Sequence, residues 1–350
     1  MRVLMTGHLG YIGTVAVPLF LERGHDVVGL DSDLYARCTF GEQGLGPAAT
    51  IPAFSMDVRD VDADLLRGFD AVVHFAGLSN DPLGEIDPQL TDDINHRATL
   101  VLAEAAKAAG VSRFVFSSSC SNYGAAGDDF LDETSAFRPV TAYGRSKVDA
   151  ERGLAALADA DFSPVLMRSA TVYGFSPRLR FDLVVNNLTA WAYTTGDVFL
   201  KSDGTPWRPI VHVEDVCRAF VAAVEAPRER VHGEAFNVGT SAENFRIAEI
   251  AEVVESVVPG TAVRMSPNAS PDARNYRVNC DKLARVLPEG RPLWTLRDGA
   301  EELYAAYRRS ALTLDDFEGP TYQRVAHLRL RLKNNELTAD LRPKELVDVG

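Results

Sequence analysis

The stretch MRVLMTGHLGYIGTVAVPLFLERGHDVVGLD, residues 1–31, decides the fold class. Residues 2–6 form a short apolar run typical of a buried strand, and residues 11–23 have the pattern of a helix. Residues 26–30 form a second apolar run that ends at Asp31. Strand, helix and strand in this order predict a β-α-β unit at the start of the chain.

Three glycines lie between the first strand and the helix. Gly7, Gly10 and Gly13 form GxxGxxG, which lets the backbone turn tightly and sets a helix N-terminus against a pyrophosphate. Asp31 follows roughly twenty residues on, where a carboxylate can accept hydrogen bonds from the adenosine ribose and would repel a 2′-phosphate. The pattern therefore predicts a dinucleotide site that prefers NAD to NADP. Asp57 is expected either to hold the adenine amino group or to form a turn.

Strand and helix patterns continue to alternate after residue 31. Apolar runs at 71–76, 113–119 and 164–170 alternate with amphipathic stretches that include 91–109 and 142–158. This alternation predicts an α/β fold of the Rossmann type, a doubly wound and mostly parallel sheet. Its ligand crevice is expected at the carboxyl ends of the strands.

After about residue 175 the predicted strands and helices become shorter and are interrupted by Gly, Pro and Asn. This change suggests that the chain has three parts. Residues 1–175 are predicted to form the dinucleotide-binding domain, and residues 176–310 mostly a smaller α/β substrate-binding part. Residues 311–350 form a C-terminal extension that is expected to be helical. Its charged segment, QRVAHLRLRLKNNEL, favours a solvated helix packed on the body, with a subunit contact or a lid as the alternatives.

Composition narrows the class of protein. A chain of 350 residues that is 46% hydrophobic and 24% charged is typical of a folded globular protein. With no signal peptide and no long apolar run, the chain is expected to be cytoplasmic and not to bind membranes. The net charge of −13 argues against a nucleic-acid partner. The four cysteines lie far apart, so neither a disulfide framework nor a metal site is expected.

The segment T-A-Y-G-R-S-K places Tyr143 and Lys147 four residues apart, on one face of a helix. Moving a tyrosine pKa from about 10 to neutrality needs about 4 kcal/mol. One ammonium at about 4 Å supplies about that much at an effective dielectric of 20. Lys147, together with a positive nicotinamide ring, could therefore prepare Tyr143 to act as a general base.

In these and further motifs the chain resembles the extended short-chain dehydrogenase/reductases, in the branch of NAD-dependent nucleotide-sugar epimerases and dehydratases. The resemblance covers residues 1 to about 310 and is specific only when its motifs are taken together. They are T-G-H-L-G-Y-I-G (6–13), H-F-A-G (74–77), Asn95, S-S-S-C-S-N-Y-G (117–124), Y-G-R-S-K (143–147), M-R-S-A-T-V-Y-G (167–174) and W-R-P-I-V-H-V-E-D-V (207–216).

The resemblance implies roles for individual residues. Ser119 would bridge the substrate alcohol and Tyr143, and Lys147 would also hold the nicotinamide ribose. Asn95 would support the active-site helix. The cofactor-binding set implied is Gly7, Gly10, Tyr11, Ile12, Gly13, Asp31, Asp57, Val58, Ala76, Gly77, Asn95, Tyr143 and Lys147.

The resemblance also implies a binding site for a nucleotide-diphosphate sugar. Asn187 and Arg208 would contact the diphosphate, and Arg274 would join them, because guanidinium groups pair well with phosphate oxygens. In residues 78–81, L-S-N-D, Ser79 and its neighbours are expected either to contact sugar hydroxyls or to form a capped loop.

Two positions differ from, or add to, the family pattern. Asn122 stands where the family usually has valine, which predicts a more polar substrate edge. His212, in V-H-V, is expected to be a packed histidine rather than a catalytic one.

The leading functional hypothesis is epimerisation of the nucleotide sugar at C4 by transient oxidation. The alternatives are a ketoreductase or a dehydratase on the same scaffold and, from another class, a non-enzymatic nucleotide-sensing protein. Related dehydratases carry Asp-Glu directly after the catalytic hydroxyl residue, where this chain has Cys120 and Ser121, so dehydration is disfavoured. A homodimer that packs residues 91–109 and 142–158 is expected by resemblance.

Overall fold

The computed structural model describes residues 1–42, 44–79, 87–270 and 275–344. The strands are β1 Arg2–Thr6, β2 Asp26–Asp31, β3 Ala53–Ser55, β4 Ala71–His74, β5 Arg113–Ser119, β6 Ala125–Leu131, β7 Ser163–Ser169, β8 Thr171–Tyr173, β9 Asp197–Ser202, β10 Trp207–His212, β11 Ala235–Val238, β12 Asn244–Arg246, β13 Ala262–Ser270 and β14 Asn275–Val278.

The α-helices are α1 Gly13–Glu22, α2 Pro88–Asp92, α3 Ala98–Ala108, α4 Ala142–Leu157, α5 Val184–Thr195, α6 Val213–Glu225, α7 Arg228–Val231, α8 Ile247–Val257, α9 Asp281–Val286, α10 Leu296–Arg309, α11 Leu314–Glu318 and α12 Arg324–Lys333. A π-helical turn, Asp93–Arg97, joins α2 to α3, and short 3₁₀ turns lie at Gly46–Ala49, Val58–Asp60, Cys120–Tyr123 and Pro288–Gly290.

The main sheet is a seven-stranded sheet with the order β11-β7-β5-β4-β1-β2-β3, and all of its pairings are parallel. This order confirms the predicted α/β Rossmann fold. The chain reverses direction across the sheet between β1 and β4, and such a switch point opens a crevice at the carboxyl ends of the strands.

Helices cover both faces of this sheet, which explains the continuous apolar runs of its strands. On β1, Val3 and Met5 enter a core that also contains Phe220 of α6. Leu4 points to the opposite core, which includes Leu102 of α3 and Leu154 of α4. Neighbouring residues of one strand are therefore buried on opposite faces of the sheet.

The glycines of the first turn are required by close backbone approach. Gly7 has a φ of +73°, and a Cβ there would lie 2.7 Å from the backbone nitrogen of Ala76. A Cβ on Gly13 would lie 2.2 Å from the carbonyl oxygen of Gly7. Any side chain at either position would push β1, α1 and the loop after β4 apart.

Strands of the second half of the chain form three small sheets, two of which also contain a strand from the first half, and one further strand returns to the main sheet. The small sheets pair β8-β10-β12, β9-β13 and β6-β14. Strand β11 pairs with β7 in the main sheet, and α6 packs against α1. Residues 176–310 therefore contribute to the dinucleotide-binding sheet as well as to the smaller part.

The C-terminal extension contains α11 and α12 and packs on the body. Four side chains on one face of α12 are buried: Arg324, His327, Leu328 and Arg331. Leu328 joins an apolar cluster with Leu78, Leu90, Ile94, Leu337 and Leu341. One face of this charged helix is therefore part of the molecule's interior.

In residues 1–42, 44–79, 87–270 and 275–344, no helix is long and apolar enough to cross a membrane. No group of three or more His, Cys, Asp or Glu side chains in those ranges is placed to hold a metal ion. All four cysteines are free thiols and buried.

Candidate active site

A cavity of about 690 Å³ opens at the carboxyl ends of the main sheet, at the switch point. Loops after β1 to β5 and after β7 line it, together with residues of the smaller part and of the extension. The residues predicted from sequence that line it are Gly7, Gly10, Tyr11, Ile12, Gly13, Asp31, Asp57, Val58, Ala76, Gly77, Ser79, Ser119, Tyr143, Lys147, Asn187 and Arg208.

Asp31 stands at the end of β2 and is fixed by two backbone amides. The amide of Leu9 donates to its Oδ2 at 3.0 Å, and the amide of Asp33 donates to its Oδ1 at 2.8 Å. Burial raises the pKa of Asp31, and these amides oppose that shift. Each carboxylate oxygen retains a second lone pair that can accept a hydrogen bond from a ligand.

Asp57 follows β3 and forms the predicted turn. It caps the short turn Val58–Asp60 and accepts two hydrogen bonds from the Arg59 guanidinium, at 2.8 and 2.6 Å. Burial works against its ionisation, but the hydrogen bonds from Arg59 hold the pKa of Asp57 below its ordinary value. The carboxylate is therefore charged and oriented at the edge of the cavity.

Tyr143 and Lys147 lie in the first turns of α4, which Thr141 caps by accepting a hydrogen bond from the amide of Gly144 at 3.1 Å. Lys147 is buried, and its Nζ donates to the carbonyl oxygen of Ser117 at 2.8 Å. The same nitrogen lies 5.8 Å from the centre of the Tyr143 ring. Burial lowers the pKa of Lys147 to about 8, so the amine is still mostly protonated at neutral pH.

Ser119 is the last residue of β5, two residues after Ser117, whose carbonyl oxygen accepts the hydrogen bond from Lys147. Its Oγ accepts a hydrogen bond from the amide of Ser121 at 3.1 Å and lies 3.0 Å from the Ser121 hydroxyl oxygen. Ser119, Tyr143 and Lys147 therefore line one cavity, as their sequence motifs predict. This arrangement can move a proton at an alcohol while a nearby ammonium stabilises the phenolate.

Asn95 differs from the other predicted cofactor residues because it does not line the cavity. Its Oδ1 accepts from the amide of Leu78 at 2.8 Å, and its Nδ2 donates to the Leu78 carbonyl at 2.9 Å. The same Nδ2 is 3.3 Å from the Ser146 hydroxyl on α4. Asn95 thus ties the loop after β4 to the helix that carries Tyr143.

Of the residues predicted to bind the substrate diphosphate, Asn187 and Arg208 are described by the structure and Arg274 is not. Asn187 donates to the carbonyl oxygen of Phe181 at 2.8 Å, and buried Arg208 donates to the carbonyl of Trp207 at 2.8 Å. Both line the cavity. Arg274, and Asn80 and Asp81 of the loop after Ser79, lie outside the described residues.

The expectation that Asn122 makes the substrate edge more polar is wrong. Asn122 is fully buried, and its Nδ2 donates to Glu151 at 2.9 Å and to Ser118 at 3.2 Å. The 3₁₀ turn after β5 carries this side chain into the interior, away from the cavity. His212 is packed, since it stacks on Trp294 and bonds to Glu302 at 2.9 Å.

Sequence reasoning missed Arg180 and Arg324, which both line the cavity. Arg180 is buried and its Nη1 donates to the hydroxyl of Ser79 at 2.9 Å. For Arg324 the sequence carries no signal, because only Leu328 is apolar among the four buried positions of α12, which are Arg324, His327, Leu328 and Arg331. Charged residues at this spacing are typical of a solvated face.

Comparisons with known proteins agree with this geometry. Residues 3–239 match the model of the NAD dependent epimerase/dehydratase family. A UDP-glucose 4-epimerase of Erwinia amylovora is 30% identical over 335 residues, which is 87% of this chain and 95% of that protein.

Two solved structures are similar over most of their length. MoeE5, in complex with UDP-glucuronic acid and NAD, is 29% identical with a TM-score of 0.74, covering 89% of this chain and 100% of that one. DesIV, a dTDP-glucose 4,6-dehydratase from Streptomyces venezuelae with NAD bound, is 26% identical with a TM-score of 0.77, covering 92% and 100%. Enzymes of different reaction types thus share this scaffold.

The residues present fit a dinucleotide. Gly7 and Gly13 keep the entrance to α1 free of side chains, so a phosphate can approach the backbone amides of that turn. Asp31 offers acceptors at the end of β2. Lys147 places a cation in the lining of the same cavity.

Proposed function

This chain belongs to the NAD-dependent epimerase/dehydratase family, so NAD is its cofactor, and we propose that it inverts C4 of a hexose carried on a nucleoside diphosphate, with uridine as the base. The observation that carries the proposal is the location of Ser119, Tyr143 and Lys147 in one cavity. Neither the turn Cys120–Tyr123, directly after β5, nor helix α4 contributes a carboxylate to its lining. The similarity to a UDP-glucose 4-epimerase supports the reaction and the base.

The chain's own residues would handle the proton. Bound NAD supplies the oxidation and the reduction at the sugar carbon. Tyr143 removes the proton of the C4 hydroxyl and later returns it, while Ser119 bridges that hydroxyl and the phenol. Lys147, protonated near neutrality, stabilises the phenolate and orients the cofactor ribose.

Elimination of water needs further acids and bases that this site lacks among its described residues. Cys120, directly after Ser119, is buried with its thiol directed at the carbonyl oxygen of Arg168, and burial raises the pKa of this thiol. Ser121 is a hydroxyl and too weak an acid. The described carboxyl groups in the lining lie elsewhere: Asp31, Asp33, Asp57, Asp182 and Glu318.

We place the substrate diphosphate beside Asn187 and Arg208, because these polar side chains line the same cavity as Ser119 and Tyr143. Buried Arg208 is a suitable donor to phosphate oxygens. The sugar then extends toward Ser119 and Tyr143.

Assembly into a homodimer through α3 and α4 stays a prediction.

The expected product is a C4-inverted sugar without solvent hydrogen at carbon. Incubation of the enzyme with UDP-hexoses in deuterated water, followed by NMR and mass spectrometry, checks this. Transient oxidation returns the same hydrogen to C4, and no other C–H bond is broken.

Three outcomes would contradict the proposal. A 4-keto-6-deoxy sugar with deuterium at C5 would show dehydration. Stoichiometric conversion of NAD to NADH with a keto product would show net oxidation. Loss of carbon dioxide from a UDP-uronic acid in the same panel would assign a decarboxylase.

A preference for NAD over NADP is expected from Asp31. Replacing Asp31 with asparagine should narrow that preference by about tenfold, because the carboxylate no longer repels a 2′-phosphate. Titration of both dinucleotides into the cofactor-free protein measures the effect. Asp26→Asn, at the exposed start of the same strand, is the matched control and should leave the ratio unchanged. Equal affinity of the unaltered protein for both dinucleotides would remove Asp31 from cofactor selection.

A further inference from the structure

Arg324 of α12 is a buried cation that faces the cavity without an acidic partner. Its side chain belongs to a residue that is 3% exposed, and its Nη2 donates to the carbonyl oxygen of Arg178 at 2.8 Å. Its guanidinium lies 3.9 Å from the centre of the Tyr35 ring. The buried Nη1 has no hydrogen-bond partner, and no carboxylate of the described ranges forms an ion pair with Arg324.

The neighbouring arginines, in contrast, are neutralised. Arg178 pairs with Asp33 at 3.0 Å, and Arg180 pairs with Asp182 at 2.7 Å. The three guanidinium groups thus have two carboxylate partners, which leaves one positive charge in excess. A buried charge without a partner is unfavourable, and burial accordingly lowers the pKa of Arg324. An anion in the cavity would remove this cost.

The position of the cluster indicates which anion. Arg180 and Arg324 both line the cavity that is also lined by the glycine turn before α1. Asn186 links the two sides, since its Nδ2 donates to the carbonyl oxygen of Arg180 at 3.0 Å and lies 3.4 Å from the hydroxyl of Tyr11. Asn186 therefore connects the backbone at Arg180 to Tyr11 of the glycine turn, and the helix N-terminus that follows this turn suits a diphosphate.

The rest of the extension lies over the loops that follow β2 and β3. Arg331 donates to the carbonyl oxygens of Asp33 at 2.9 Å and Leu34 at 2.8 Å. Arg342 donates to Asp60 at 3.0 Å, and Arg59 donates to the carbonyl of Asp340 at 2.9 Å.

The loop after β4 is covered as well. Leu328 and Leu337 pack in one apolar cluster with Leu78. Residues 324–342 therefore contact the loops after β2, β3 and β4, and the first two of these loops follow the strands that lead to Asp31 and Asp57.

We propose that Arg324 donates hydrogen bonds to the diphosphate of NAD, and that residues 324–342 cover the adenosine half of the dinucleotide and slow its release. The inference rests on the proposed position of the dinucleotide in this cavity. It deepens the proposed function, because an epimerase regenerates its cofactor at every turnover and does not need to exchange it.

The test compares Arg324→Gln with Arg329→Gln, an exposed position on the same helix. Binding of NAD, ADP-ribose and adenosine to the cofactor-free full chain is measured by calorimetry, and the release of NAD by stopped-flow fluorescence. Arg324→Gln should weaken NAD and ADP-ribose about 10- to 150-fold, the range for one lost charged hydrogen bond, mainly through faster release. Adenosine has no phosphate and should bind as before. Arg329→Gln should match the unaltered protein for all three ligands.

Several results would overturn the inference. Equal weakening of adenosine would mean that Arg324 only shapes the fold, and unchanged affinity for ADP-ribose would remove the phosphate contact. A selective loss of NADP binding would reassign Arg324 to a 2′-phosphate. None of these measurements uses turnover, so a protein that retains ADP-ribose through Arg324 but fails to epimerise any sugar would refute the proposed reaction alone. Arg324→Lys, which keeps the charge, should recover part of the affinity.

Discussion

Replacing Tyr143 with phenylalanine is expected to lower turnover by about a thousandfold, within the range for loss of a general acid-base group. Phenylalanine keeps the ring beside Lys147 but has no hydroxyl to exchange a proton with the substrate. Affinity for NAD should be nearly unchanged, because Lys147 stays anchored to the carbonyl oxygen of Ser117. Steady-state kinetics on a UDP-hexose, with NAD affinity from calorimetry, separate the two effects.

Two variants make this result specific. Tyr193→Phe removes a phenol hydroxyl from α5, outside the lining of the cavity, and should leave turnover unchanged. Lys147→Ala should impair both turnover and NAD binding, since the ammonium is expected to contact the cofactor ribose as well as to stabilise the phenolate. A Tyr143→Phe enzyme that keeps most of its activity would remove Tyr143 from the mechanism.

The parts of the site that depend on local spacing could be predicted from sequence. The glycine turn, Asp31 and the Tyr143/Lys147 pair are each defined within one strand-turn-helix unit or one helix. Their geometry follows from backbone periodicity, and the parallel sheet then brings their loops to one edge. The order of the main sheet agrees with this reasoning.

Residues whose environment depends on distant segments could not be predicted in the same way. Asn122 lies just after β5, the strand that ends at Ser119. Only the tertiary structure shows that Glu151 and Ser118 bind it in the interior. Arg324 lies more than 300 residues from the glycine turn, and nothing local to α12 indicates that its face packs on the cavity. Burial of a polar side chain is a property of what packs against it.

Glu151 holds the centre of a buried polar network, and its replacement by glutamine should cost about 3–5 kcal/mol of unfolding free energy. Glu151 and Arg168 pair at 2.7 Å with side chains 3% and 6% exposed. Arg168 also donates to Glu151 through Nε at 3.0 Å, and Asn122 donates to the same carboxylate at 2.9 Å. Glutamine offers one acceptor oxygen and no charge, so the guanidinium would stay buried without its counter-ion. Denaturant unfolding measures the loss.

A matched control lies on the same helix. Asp149 pairs with Arg152 at 3.2 Å, but both side chains are exposed, at 44% and 68%, and water screens them. Asp149→Asn should therefore change the unfolding free energy by less than about 1 kcal/mol. The double variant Glu151→Leu/Arg168→Met removes both charges together and should be more stable than Glu151→Leu alone, because no uncompensated ion remains in the interior. If Glu151→Gln is no more destabilised than Asp149→Asn, the polar network around Glu151 does not hold β5 and α4 together. The position of Tyr143 must then be maintained by apolar packing.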